Sequence, residues 1–114
     1  MLKKTHSIRK QEEIKEVFKL GKTHKNKGLL LKVKNNNLNK YRMTVVVSSK
    51  VLPKAVSRNK IKRQIKAFFL EELKNNYYKK DFIFVVLPEA KKLNTQDLKT
   101  SVKKLIKTKA YYLK

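Results

Sequence analysis

The chain has 114 residues, with 31 Lys or Arg against eight Asp or Glu, a formal net charge of +23 and no cysteine. Its length fits one domain, residues 1–114, that can bury a core, and 40% apolar residues argue against disorder. Disulfides and thiolate metal sites are excluded, and self-repulsion at +23 calls for a polyanionic partner.

Residues 1–10 are basic and lack periodicity, so they read as an arm. No apolar stretch follows Met1 to suggest a secretory signal, and the longest apolar run, 82–87, is too short to span a bilayer. The expectation is a soluble cytoplasmic protein. Residues 11–20 read as a first helix. Glu12 and Glu13 in its first turn and Lys19 in its last suit the helix dipole, and Gly21 stops it. Ile14, Val17 and Phe18 form its apolar stripe.

Residues 22–28 read as a basic loop. In 29–34, Leu29, Leu31 and Val33 alternate with Leu30, Lys32 and Lys34, the pattern of a half-exposed strand. An Asn-rich connection, 35–40, leads to a second strand at 41–49, rich in β-branched residues. The short link predicts an antiparallel hairpin between these two. Pro53 precedes a long helix over about 55–74. Residues 75–81 turn the chain. Residues 82–87 are apolar on both faces and predict a central strand, which Pro88 ends. Asn94 caps a last helix, with Asp97 three residues on, and Leu98, Val102, Leu105 and Ile106 form its core stripe. The order α, β, β, α, β, α predicts an α+β fold, a small two-layer sandwich with helices on a sheet.

The long helix carries two sets of residues. Ile61, Ile65, Phe68 and Phe69 lie at i, i+4, i+7 and i+8 on one face. Asn59, Lys62, Arg63 and Lys66 lie at i, i+3, i+4 and i+7 on an adjacent one. Such a helix buries one side and offers the other to phosphates. Only four basic residues are Arg, and two of them, Arg58 and Arg63, fall in this stretch. The guanidinium supplies a planar fork of donors that matches phosphate geometry, which an ammonium does not.

Little in the chain suggests bond-breaking chemistry by side chains. His6 and His24 sit in basic stretches without a partner motif, and the acids lie singly or in adjacent helical pairs. There is no Gly-rich phosphate loop, HExxH or GxSxG.

The stretch SRNKIKRQIKAFF resembles the RNR-type signature of the protein component of bacterial ribonuclease P. Ser49-Lys50 through Ala55-Val56 is similar to that family's lead-in, and Leu2-Lys3-Lys4, Ile8-Arg9-Lys10 and residues 16–21 to its start. Three positions depart from the pattern: Lys60 for an Arg, and Ile14 and Lys32 where aromatics are common. The resemblance implies a fold like the second domain of ribosomal protein S5, with four strands and a left-handed βαβ crossover. The fourth strand is then expected at 50–54 or in the arm. It also implies a protein that binds a catalytic RNA and helps it remove the 5′ leader of precursor tRNA, with Mg²⁺ held mainly by that RNA and one protein per RNA. Carried over, Arg58, Asn59, Lys60, Lys62, Arg63 and Lys66 would face the catalytic RNA. Arg9, Ile14, Phe18, Lys32 and Lys34 would meet the leader. The alternative is a ribosomal or ribosome-assembly RNA-binding protein. A DNA-binding architectural protein and a membrane-surface peptide fit the pattern less well.

Overall fold

The computed structural model describes residues 7–38, 40–73 and 79–107. Helix α1 spans Gln11–Leu20, β1 Lys22–Asn26, β2 Leu29–Asn35, β3 Arg42–Val46, α2 Ala55–Leu73, β4 Lys80–Val86 and α3 Thr95–Leu105. A 3-10 turn, Pro88–Lys92, links β4 to α3. The strands form one mixed sheet in the order β1-β2-β4-β3. β4 runs antiparallel to β2 and parallel to β3, so α2 is the crossover of a βαβ unit between neighbouring strands.

Two expectations change. The hairpin joins β1 to β2, whereas β2 and β3 never pair because β4 lies between them. A strand apolar on both faces is stable only in the middle of a covered sheet, so it displaces the local pairing. The fourth strand is then β1, in the segment read as a basic loop, and not residues 50–54. The tight link Lys27-Gly28 makes this hairpin. Both residues have positive φ, 27° and 52°, the geometry of two-residue turns matched to strand twist. A Cβ at Gly28 would meet the Ala90 backbone at 2.7 Å, so glycine is needed there twice over.

The described part of the arm, 7–10, contributes a single bridge. Ser7 bridges Met43 in parallel, and Ile8 N–H donates to Met43 O at 3.2 Å, on the outer side of β3. Residues 1–6 and 74–78 lie outside the described residues. His6 is among them, whereas His24 lies within β1 and not in a loop.

The core is asymmetric. α2 and α3 cover the face that carries Leu29, Leu31, Val33, Met43, Val45, Phe82, Phe84 and Val86, with Phe69 packed edge-on against Phe82 and Phe84. α1 sits on the opposite face, where Ile8, Val17 and Ile83 make a second, smaller cluster. The sandwich thus gains a partial third layer, because Ile83 and Val85 need cover on the side away from Phe82 and Phe84. α1 ends at Gly21, whose N–H returns to Val17 O, and α3 begins with Asn94 Oδ1 accepting from Asp97 N–H at 2.8 Å. No helix among the described residues is long and apolar enough to cross a membrane.

Candidate nucleic-acid interface

The long helix carries its two sets as the spacing requires. Ile65, Phe69 and Leu73 are buried, and Ile61 and Phe68 pack at the edge of the core. Asn59, Lys60 and Arg63 are exposed, while Lys62 and Lys66 are half-buried. Among the described residues, six of the eight acids form ion pairs, and none of those pairs involves residues 58–66. Glu71 pairs with Lys99 and Lys103, and Glu72 with Lys107, which draws the acids of α2 toward α3. The first half of the helix therefore keeps an uncompensated positive field.

Arg58 behaves differently from its neighbours. Its Nη1 donates to Leu52 O and Pro53 O, both at 2.8 Å. The side chain thus secures the entry to α2 and presents only the rest of its fork outward. Lys60 turns toward α3, leaving Asn59, Lys62, Arg63 and Lys66 as the coherent patch.

A second surface lies on the α1 face of the sheet. By register, Leu30 stands beside Val85, and Val85 beside Val46. All three are half-buried, forming an apolar floor that α1 leaves partly uncovered. Phe18 stands at its flank, 37% exposed. Lys32 Nζ lies 5.7 Å from the centre of the Phe18 ring and also donates to Phe18 O at 3.3 Å. A cation over an aromatic face at an exposed site stabilises by about 0.5–1 kcal/mol, little enough for a ligand to displace. Lys34 pairs with Glu16 at 3.1 Å, Ile14 is packed against the small cluster, and Arg9 is exposed at the arm. The structure thus brings Phe18 and Lys32 together, while Lys34 and Ile14 serve the packing of α1.

Sequence reading missed what fastens α1 to the sheet beside this floor. Arg42 Nε and Nη2 donate to Asp81 Oδ1 and Oδ2 at 2.9 and 2.8 Å, and Nη1 donates to Glu13 Oε2 at 2.7 Å. Asn36 Nδ2 adds a bond to Asp81 Oδ1 at 2.8 Å. The forked bond to Asp81 raises the guanidinium's pKa above its ordinary value, against the opposing cost of burial. One guanidinium therefore ties β3, β4 and α1 together. Arg42 had a signal, since it is one of only four arginines. Its partner had less, because Asp81 lay in the stretch read as a turn.

Comparison with known proteins gives the same direction. A model of the Ribonuclease P family matches residues 2–110. The chain belongs to the ribonuclease P protein family. It is 33% identical over 112 residues to the ribonuclease P protein component of Bacillus pumilus, covering 97% of this chain and 93% of that one. With that of Borrelia turicatae it shares 36% identity, with 93% of each covered. The solved RNase P protein of Staphylococcus aureus superposes with a TM-score of 0.82 at 28% identity, over 90% of this chain and 94% of that one. The one from Thermotoga maritima, 21% identical, shares the fold at a TM-score of 0.79, over 90% of this chain and 96% of that one. Ribonuclease P is an endoribonuclease, and this family supplies a protein part of it that works with RNA. The ribosomal alternative is not favoured.

Proposed function

We propose that the chain acts as the protein subunit of ribonuclease P in the cytoplasm. It binds the catalytic RNA through α2 and the 5′ leader of precursor tRNA across the α1 face of the sheet. The observation that carries the reading is the acid-free basic stretch of α2 in a chain of this family. Structured RNA is met through phosphate, 2′-hydroxyl and shape contacts, which exposed donors on a rigid helix suit. Single-stranded leader suits an apolar floor with an aromatic and lysines at its flank.

No step of the cleavage is assigned to side chains of this chain. Mg²⁺ is assigned mainly to the RNA, as the resemblance to the family implies. The contribution of the chain is to bind, position and lower the repulsion between two polyanions, one chain per catalytic RNA.

The test is leader removal from precursor tRNA by the catalytic RNA at limiting Mg²⁺, with and without the chain. Addition of the chain should raise cleavage. Arg63→Ala with Lys66→Ala should remove most of that gain without loss of fold, since neither residue carries an ion pair among those described. Cleavage that does not respond to the chain would refute the reading.

A further inference from the structure

A concavity of about 350 Å³ lies on the flank of α2 that faces α3, away from the sheet groove. Its floor is aliphatic, made by Ile61, Ala90, Leu93 and Leu98. Its rim is polar, with Ser57, Gln64 and Thr95. Gln64 Nε2 reaches Thr95 Oγ1 at a long 3.4 Å, and its amide oxygen makes no hydrogen bond among the described residues. Two exposed ammonium groups, Lys60 and Lys91, stand at the mouth, and neither is in an ion pair among those described. Lys60 is one helical turn from Arg63, so the mouth is continuous with the basic face.

Size and chemistry together select the occupant. Ligand pockets run from roughly 300 to 1,000 Å³, so this one sits at the small end and suits a single planar heterocycle with its sugar. A phosphate alone would leave the aliphatic floor wet. An acidic peptide would need a longer groove. A base gives the floor an apolar face, gives the amide and hydroxyl rim its hydrogen-bonding edge, and leaves its flanking phosphates to the two lysines. Structured RNA offers unpaired bases that can be splayed out in this way.

We propose that this cavity receives one unpaired nucleobase of the RNA held by α2. The proposal deepens the RNA reading of α2 and rests on it. The base is extruded from the RNA fold and lies on Ile61 and Leu93, with Gln64 and Ser57 at its polar edge. α2 then recognises its RNA at two levels: charge from Arg63 and Lys66, and a single shape-specific anchor from the cavity beside them.

Methyl NMR of the full chain tests this with two probes, adenosine 5′-monophosphate and ribose 5-phosphate. They share sugar and phosphate, and only the first has a base. The nucleotide should shift the methyls of Ile61, Leu93 and Leu98 by ring current, and the sugar phosphate should not. Ser57→Phe and Thr95→Phe, each filling the cavity, should abolish those shifts. In parallel, each should weaken binding to the catalytic RNA by about 3- to 10-fold at unchanged Tm. Absence of the nucleotide shifts at millimolar concentration, or equal shifts from the sugar phosphate, would overturn the proposal. So would unchanged RNA affinity in folded Ser57→Phe and Thr95→Phe. Arg63→Ala with Lys66→Ala separates the two readings: it should weaken RNA binding and leave the nucleotide shifts intact. If RNA binding does not change in that variant, the assignment of α2 fails, while the methyl shifts still decide the cavity.

Discussion

Two buried charged residues on β4 do opposite things. Asp81 is 3% exposed and receives the Arg42 fork, so its removal leaves a guanidinium half out of water with only Glu13 beside it. Breaking one side of a buried pair costs about 3–5 kcal/mol, and Asp81→Ala should lower the urea midpoint accordingly with little change in slope. Glu13 moderates the loss toward the lower figure. Lys80, also 3% exposed, donates to Asn35 Oδ1, and burial followed by repulsion from Lys22 lowers its pKa. The folded state then binds fewer protons than the unfolded one between that lowered value and the ordinary 10.5. Stability contributed by this group therefore rises with pH through that window and is absent below it. Tyr41, whose pKa burial raises, acts in the opposite sense as pH passes 10. The difference between wild type and Lys80→Met isolates the lysine. Chemical denaturation from neutral to alkaline pH should show the wild type gaining on the variant.

At the scale of elements, α1 flanks the partly uncovered apolar floor of the sheet, held by Val17 in the small cluster and by the Glu13–Arg42 pair. Phe18 projects from it with Lys32 over one ring face. Stacking of an unpaired base on an aromatic contributes about 1–3 kcal/mol, so Phe18→Ala should reduce the preference for precursor over mature tRNA by about 5- to 150-fold. The measurement is competitive binding of the two RNAs to the reconstituted complex, with circular dichroism confirming the fold. How far these elements can be read from sequence follows from their periods. α1, α2 and α3 declare themselves because Val17, Ile65, Phe69, Leu98 and Val102 repeat at helical spacing and are buried there. β1 does not, because Lys22-Thr23-His24-Lys25-Asn26 carries no apolar residue and is a strand only through its neighbour and the turn at Lys27-Gly28. Its place at the sheet edge lets its lysines face water. The error in strand pairing has a related cause: proximity along the chain favours β2 with β3, and only the burial of β4 on both faces outweighs it.

For the whole molecule, charge decides more than shape. The basic patch of α2 was legible, because Asn59, Lys62, Arg63 and Lys66 share one face by spacing alone. The groove floor was not, since Leu30, Val46 and Val85 converge only through the sheet order. If α2 neutralises roughly five phosphates, log K for the catalytic RNA should fall with log salt at a slope of about −3.5 to −4.5. Filter binding from low to moderate salt measures it, and Arg63→Ala with Lys66→Ala should flatten the slope by about 1.4 to 1.8. The same charge keeps free copies of the chain apart in solution, and that protection is lost once RNA cancels it. At that point the bridge from Ser7 and Ile8 to Met43 acquires a second meaning. It occupies the outer edge of β3 at Met43, on the rim at which a neighbouring chain would otherwise add itself as a further strand. Ser7 and Ile8 thus shield part of that rim against self-assembly once the charge is cancelled.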